Sequence, residues 1–304
     1  MPAERPPEKE TRKQRTGTVP LFGVLLLVLI VAWEVRATLL QHSSVPSDGN
    51  WRAAAAKVNS KRDLAREPIL FAPHWVEPIG LHHLGDKITL KMATLSDVDQ
   101  FNRIWEVSVR GARHPWLKDK KPVSSWQFGG VRVAMFEQKA KEVLHDFYEN
   151  ILAAKVERIG NSRMTCGRQD NRFVCDHRRG WGWNWVGAYQ AEVGHRPYHC
   201  IYAHPVDGAR LKISFPAVPI GKQLVGYTGI DDFENRKRAD APVSLEVFIA
   251  GKSFGAVDHK NEWPWHRFEF DTSAMDGQKL PVSFEITAKR AYARVFCFKA
   301  DTRR

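Results

Sequence analysis

Hydrophobic and polar positions follow two different patterns along the chain, and the change between them divides it. From residue 51 to about residue 153, short apolar runs are separated by segments with helical spacing. After residue 154 the period becomes two, as where Leu211, Ile213 and Phe215 alternate with Lys212 and Ser214. A period of two with one polar face is typical of antiparallel strands. The pattern predicts an α/β domain over 51–153 and a β-sandwich over 154–304.

The amino terminus contains a mainly apolar segment without charged residues, residues 19–33. We predict a transmembrane anchor over 19–40, because a membrane-spanning helix needs about 20 mainly apolar residues. A basic tail, residues 1–18, precedes it and favours a cytoplasmic amino terminus. A polar stem, residues 41–50, would follow, with the later domains periplasmic or extracellular. A cleaved signal peptide is the alternative, although Val35-Arg36-Ala37 carries a charge where a cleavage site needs a small residue.

The α/β domain is expected to begin with a helix from Trp51 towards Leu64. Ser96, followed three residues later by Asp99, resembles the capping box of a second helix. A long helix over 138–152 would end the domain, since apolar residues recur there at every fourth position. The predicted strands are 68–73, 103–109 and 131–136.

The sandwich is expected to be a jelly roll built from short antiparallel strands with turns between them. The fold class is therefore α+β multidomain, with a single transmembrane helix, a small α/β domain and a carboxyl-terminal β-sandwich. The clearest alternating segments are 211–215, 243–249, 268–270 and 282–288.

The net charge of the chain restricts the class of molecule that the protein is expected to bind. The chain has 46 Lys and Arg against 34 Asp and Glu, a net charge of +12, of which residues 41–304 hold +10. A basic surface outside the cell would meet anionic lipid or glycan rather than nucleic acid. We therefore expect a membrane and a glycan or glycolipid as partners, and no nucleic acid.

Tryptophan is abundant, with 11 residues in the chain, and five of them form two motifs. Trp181, Trp183 and Trp185 alternate with small or polar residues, so on a strand their rings would share one face. Trp263 and Trp265 flank a proline in an expected loop. Indole rings stack on the apolar faces of sugars and donate a directional hydrogen bond. These five are candidate carbohydrate-binding residues, and burial in the sandwich core is the alternative.

Acidic residues Asp231 and Asp232, with Glu234 nearby, fall in another expected turn. They would line the same end of the sandwich as sugar ligands, hold a structural calcium ion, or form a solvated turn. No other cofactor and no other metal site are expected.

The four cysteines suggest two disulfide bonds in an exported domain. Cys166 and Cys175 flank a hairpin-like segment with turn residues, which leaves Cys200 and Cys297 to join two strands. Other pairings stay open. An alternative zinc site would use Cys175, His177, His199 and Cys200.

Catalytic motifs are weak, so the sequence does not establish an enzymatic activity and favours a non-catalytic protein. Asp97 and Asp99 fit the Asp-x-Asp pattern of type II membrane glycosyltransferases, but they lie at the expected helix start. No P-loop, nucleophile elbow or dinucleotide motif is present. A hydrolytic metal site would draw on His74, His82, His83 and Asp86.

Two resemblances add a glycan context. The amino-terminal domain resembles the soluble α/β domain of bacterial GT-C (mannosyltransferase-like) membrane glycosyltransferases, whose catalytic residues lie in the membrane part absent here. The motifs are Ile69–Val76, Leu84–Asp86, Arg103–Ser108 and Gly130–Phe136. Residues 155–304 resemble galactose-binding-like jelly rolls and carbohydrate-binding modules. Their motifs are Gly226–Asp232, Val243–Gly251 and Ala293–Phe298.

These observations predict a membrane-anchored, exported protein that binds glycan or assists envelope polysaccharide or glycolipid assembly, in which a membrane glycosyltransferase is an expected partner. One alternative is a type II glycosyltransferase or hydrolase. The other is a protein-binding structural partner of a membrane glycosyltransferase.

Overall fold

The computed structural model describes residues 19–43, 45–63, 66–85, 88–175, 183–231, 242–260, 264–292 and 294–304. The predicted tail, 1–18, lies outside these residues. Helix α1, Val19–Ser43, covers the predicted anchor, and its apolar side chains from Phe22 to Val31 are exposed. Within the described chain, however, no helix reaches the combination of length and apolar character that a membrane crossing requires. The predicted transmembrane anchor is therefore not supported by the structure.

The predicted stem is shorter than expected, because helix α2 spans Asp48–Lys61. A capping box starts this helix. The Ser47 hydroxyl accepts from the Asn50 amide at 3.3 Å, and the Asn50 side chain accepts from the Ser47 amide at 3.0 Å. The reciprocal bonds satisfy two backbone donors at the helix start. The predicted helix from Trp51 is confirmed and starts three residues earlier.

A mixed four-stranded sheet, here the N-terminal sheet, forms the centre of the α/β domain. Its order is β1, β2, β4, β3, with β1 and β2 parallel and the other pairs antiparallel. The three predicted strands are confirmed, whereas β3 was not predicted. The strands are β1 (Ile69–Ala72), β2 (Arg103–Val109), β3 (Ser124–Phe128) and β4 (Val131–Glu137), and the short helices are α3 (Glu77–Leu84) and α4 (Leu90–Ala93).

Apolar side chains cover both faces of the N-terminal sheet. On one face Trp51 and Val58 of α2 pack against Trp105 and its neighbours. On the other, Ile104 and Phe136 join a separate buried cluster. Burial on both faces explains why β1 is a continuous apolar run rather than an alternating one.

The carboxyl-terminal domain is the predicted β-sandwich, made of a front sheet and a back sheet. The front sheet contains, in spatial order, β16 (His266–Asp271), β13 (Gln223–Ile230), β18 (Phe296–Arg303), β11 (Arg196–Ala203), β10 (Trp185–Val193), β9 (Arg172–Val174) and β8 (Gly167–Gln169). The back sheet contains β15 (Lys252–His259), β14 (Val243–Ile249), β17 (Lys279–Ala288), β12 (Arg210–Pro219), β6 (Lys155–Ile159) and β7 (Arg163–Thr165).

The sandwich core consists of the alternating residues that the sequence pattern selects. Leu211 and Ile213 lie opposite Ile286 and Phe284 across the β12–β17 pair, and all four are fully buried. Inward residues of the front sheet, such as Phe298, pack against them. Strict alternation fits a sheet with one packed face.

The predicted long helix over 138–152 is wrong. The segment forms strand β5, Val143–Asp146, which pairs antiparallel with β18, followed by a turn and a single 3₁₀ turn. Phe147 and Ile151 are buried in the sandwich core, so their spacing of four reflects two separate contacts with that core rather than a helix face. Since β5 belongs to the front sheet, the sandwich begins near residue 142 and not at 154.

The predicted disulfide between Cys166 and Cys175 is confirmed and closes the hairpin of β8 and β9. Asp170 has φ = 50° in the turn, a conformation that Asp tolerates better than most residues. Cys200 and Cys297 are buried in one cluster, on neighbouring strands. Their thiols are the candidates for the second predicted disulfide bond. A second disulfide remains a prediction.

Candidate functional site

The two domains are joined by a buried ion-pair network beside the front sheet. Arg303 donates from Nη2 to the carboxylates of Asp97 and Asp301, at 2.8 Å in both cases. The Tyr227 hydroxyl also donates to Asp97. Asp97 comes from the α/β domain and the other three from the front sheet, so the network fixes one domain against the other. Buried charges require such partners, because an unpaired one costs several kcal/mol.

Asp97 does not have the role predicted from its sequence context. No helix begins at Ser96; instead the Asp97 carboxylate accepts from the Asp99 amide at 3.0 Å and closes a local turn. Burial would raise the pKa of Asp97, but the charge and hydrogen bond of Arg303 outweigh burial and lower it. The pKa of Tyr227 is raised by burial and by the Asp97 charge. Asp97 is therefore a carboxylate held for structure.

A cleft of about 710 Å³ lies beside this network, between the domains. The α/β domain contributes the segments around Asp97, His114 and Lys141 to its wall. The front sheet contributes the β10–β11 hairpin and the strands around Tyr227 and Trp265. A concave site where two domains meet is a common position for a ligand.

One wall of the cleft carries three aromatic rings, which we call the tip cluster: Tyr198, Trp265 and Tyr227. The Trp265 ring is nearly parallel to both tyrosines, with centroid distances of 4.6 Å to Tyr198 and 6.0 Å to Tyr227. A Cβ at Gly229 would lie 2.7 Å from the indole, so glycine makes room for the ring. The indole Nε1 finds no acceptor among the described residues. Trp265 thus combines a half-buried ring with a buried donor that is unpaired within the described residues.

The opposite wall supplies a second indole. Trp116 lies in a short 3₁₀ turn of the α/β domain, and its amide donates to His114 Nδ1 at 3.2 Å. The Arg196 guanidinium carbon is 5.9 Å from the centre of the Trp116 ring, which is a cation–π distance. Arg196 follows the two-residue turn Gly194–His195, in which both residues have positive φ. Such a turn matches the twist of a hairpin and holds Arg196 at its tip.

The predicted tryptophan row is not formed as expected. β10 begins at Trp185, and Trp183 precedes it in a turn. Trp185 stacks on Tyr202 at 4.0 Å, whereas Trp183 is tilted against His204 at 4.5 Å. Trp183, Trp185 and Tyr202 form what we call the base cluster, at the other end of the β10–β11 hairpin from the tip cluster. Trp181 lies outside the described residues.

Of the remaining predicted site residues, the structure describes Asp231 and Trp265. Asp231 is half-buried, and its carboxylate accepts from the Glu192 amide at 3.4 Å. Asp232 and Trp263 lie outside the described residues, so calcium binding remains a prediction. Trp265 is the predicted sugar-binding residue that lines the cleft.

The metal alternatives receive no support from the described part of the chain, where no group of three His, Cys, Asp or Glu residues could hold an ion. His82 and His83 lie on α3 rather than in a loop, and His83 stacks on Trp51. Asp86 and His177 lie outside the described residues.

Trp116, Arg196, Tyr198 and Tyr227 were not predicted as site residues. The only local signal is the Gly194–His195 turn before Arg196. Their proximity depends on contacts between domains, which a pattern read along the chain does not show.

Comparison with known proteins gives no family assignment. No family pattern matches the chain, and no curated protein is similar in sequence. Solved structures that it is similar to include CBM51 from Clostridium perfringens GH95 in complex with methyl-galactose, with 9% identity, a TM-score of 0.29 and coverage of 38% of this chain and 81% of that one. TmCBM61 in complex with beta-1,4-galactotriose has 16% identity, a TM-score of 0.25 and coverage of 38% and 77%.

CBM51-2 with INT domains from Clostridium perfringens ZmpB has 10% identity and a TM-score of 0.27, and the match covers 66% of this chain and a third of that one. All three structures contain carbohydrate-binding modules. Their TM-scores are too low to transfer a binding site. The resemblance of the α/β domain to GT-C glycosyltransferases is not supported by them.

Proposed function

We propose that this protein binds a saccharide in the interdomain cleft and does so without catalysis. The observation that carries the proposal is the pair of indoles, Trp116 and Trp265, that line one cleft from two domains. Sugars present apolar C–H faces to aromatic rings and hydroxyl groups to polar side chains, and the cleft supplies both types of surface.

Preorganisation supports the same proposal. The Arg303 network joins the domains through groups that are almost completely buried, so the cleft walls are held in place before any ligand arrives. A site that is already ordered loses less conformational entropy on binding. A saccharide is strongly hydrated and binds weakly, so a smaller loss of conformational entropy favours its binding.

We also propose that the protein acts on the exported side of a cell membrane, beside a membrane glycosyltransferase in envelope polysaccharide or glycolipid assembly. The support is helix α1, whose side chains from Phe22 to Val31 are uncharged and largely exposed. A continuous run of exposed apolar side chains is typical of a segment that contacts lipid or a partner protein. Alkaline extraction of membranes, with and without residues 1–43, tests the membrane part, and release of the intact chain by alkali would argue against it.

The binding proposal is tested with the purified full-length chain on a glycan array, followed by calorimetry on the glycans that bind. Trp116→Ala is expected to weaken binding roughly tenfold or more, because a stacked ring contributes on the order of 1 kcal/mol beyond its buried area. Trp75→Ala is the matched control, since that indole is 56% exposed and is not part of the cleft wall.

Unchanged affinity in both variants would place the sugar elsewhere and contradict the proposed site. Loss of affinity confined to Trp183→Ala would move the site to the base cluster. If no glycan on the array binds, the proposal fails as a whole.

A further inference from the structure

The cationic side chains of the cleft fall into two groups according to their partners. Asp99 lies 3.5 Å from Arg267 and 3.9 Å from Lys141, and Glu269 lies 2.6 Å from Arg267. The charges on these two cations are therefore balanced by carboxylates of the protein, as is that of Arg113, which lies 3.2 Å from Glu106. They bring little net charge to a ligand.

The second group has no carboxylate partner among the described residues. Lys120 donates to the neutral Gln138 side chain, and the Arg196 guanidinium lies against the Trp116 ring. Arg196 Nε is buried and finds no acceptor among the residues described. Arginine stays charged at any physiological pH, so this position keeps a cation and an unused donor in the cleft wall.

The imidazole of His114 lies at the same end of the cleft as Trp116 and Arg196. Burial first, then the charge of Arg196 and that of His74, lower the pKa of His114 to about 4. His114 is therefore neutral near pH 7 and adds no competing charge. Because its Nδ1 accepts from the Trp116 amide, the ring proton is assigned to Nε2, which makes His114 a further donor.

Resting on the proposed function, we infer that the saccharide is acidic and that its carboxylate, sulfate or phosphate group pairs with Arg196 beside the Trp116 ring. Donors without acceptors, an uncompensated cation and a flat apolar ring together match a sugar that carries an anionic substituent. Guanidinium binds planar or tetrahedral oxyanions through paired, charge-assisted hydrogen bonds.

The test compares acidic saccharides on a glycan array with the same saccharides after carboxyl reduction, desulfation or dephosphorylation, using the full-length chain. We expect the acidic forms to bind at least about tenfold more tightly. Arg196→Gln should remove this preference and Arg196→Lys should keep part of it. Arg168→Gln, which removes an exposed arginine on β8, should leave the preference unchanged.

The outcomes separate the two proposals. Equal binding of acidic and neutral forms, lost in Trp116→Ala but not in Arg196→Gln, overturns the acidic preference and leaves the cleft proposal standing. Absence of binding to any glycan overturns both. A preference for acidic forms that survives Arg196→Gln overturns the assignment of the anion to Arg196.

Discussion

The tip cluster and the base cluster lie at opposite ends of one hairpin and have nearly the same chemistry, yet their surroundings differ. Trp265 of the tip cluster lies in a cleft roofed by another domain and lined with charged side chains. Trp185 of the base cluster stacks on Tyr202, with the Arg172 guanidinium carbon 5.4 Å from its ring centre. The proposed site therefore depends on the second wall that the α/β domain supplies, and not on aromatic content alone.

Removing the Arg303 ion-pair network between the domains should have the largest effect on the free energy of unfolding. Arg303→Gln leaves Asp97 and Asp301 buried without their cation, and we expect a loss of about 3–5 kcal/mol in the free energy of unfolding. Urea denaturation measures it. Arg304→Gln is the control, because its bond to Asp276 at 2.9 Å is solvent-exposed and worth at most about 1 kcal/mol.

Equal losses in the two variants would mean that the network does not hold the domains together. The tip cluster would then owe its position to the sandwich alone.

A perturbation near the base cluster should separate stability from binding. Replacing Cys166 and Cys175 together by serine opens the hairpin whose strand β9 pairs with Trp185. We expect a loss of about 2–4 kcal/mol in unfolding free energy, because the open chain gains entropy when unfolded. Calorimetric affinity for the glycan should stay unchanged. A parallel loss of affinity would show that the two clusters are coupled.

A smaller perturbation tests the tip cluster itself. In Gly229→Ala the new methyl group would lie 2.7 Å from the Trp265 ring and 2.9 Å from the Val193 side chain. Crowding of this kind costs about 1–3 kcal/mol, and displacement of Trp265 should also weaken glycan binding. Gly167→Ala is the control, since nothing lies within 4 Å of its added Cβ. A variant that binds and unfolds like the parent would exclude tight packing around Gly229.

The sequence pattern was a reliable guide where one local rule decided the structure. Alternation placed Ile213 and Phe284 in the sandwich core, and the hairpin turn identified the Cys166–Cys175 bond. The pattern failed where contacts with a segment distant in sequence decided the local structure. Phe147 and Ile151 have helical spacing, but the last residues of β18, beyond its pairing with β11, pair with this segment, and the sandwich core takes both side chains.

The site shows the same limit. Trp265 was predicted from its type and motif, whereas Trp116 and Arg196 are separated by about 80 positions and meet only across a domain interface. Asp97 looked like part of a helix cap, and its partner Arg303 lies next to the end of the sequence. Local patterns carry no information about such pairs.

A last prediction concerns the pH dependence that burial and the charge of Arg196 give to His114. The unfolded chain protonates His114 near pH 6.5 and the folded chain only near pH 4, so the unfolded state binds more protons between these values. Stability should therefore fall as the pH falls from 6.5 to 4, by up to about 1.4 kcal/mol per pH unit from this group, and be unaffected by it above that window.

Thermal or urea unfolding at several pH values measures this slope. His114→Asn, which can keep an acceptor near the Nδ1 position but does not titrate, should have a shallower slope than the parent between pH 4 and 6.5. His195→Asn is the matched control, because its imidazole is 76% exposed in the adjoining turn. Arg196→Gln should raise the pKa of His114, since the guanidinium charge opposes its protonation, and so reduce the slope in part. Identical slopes in the parent and His114→Asn would mean that His114 is solvated, and the neutral donor assigned to the cleft would be lost with it.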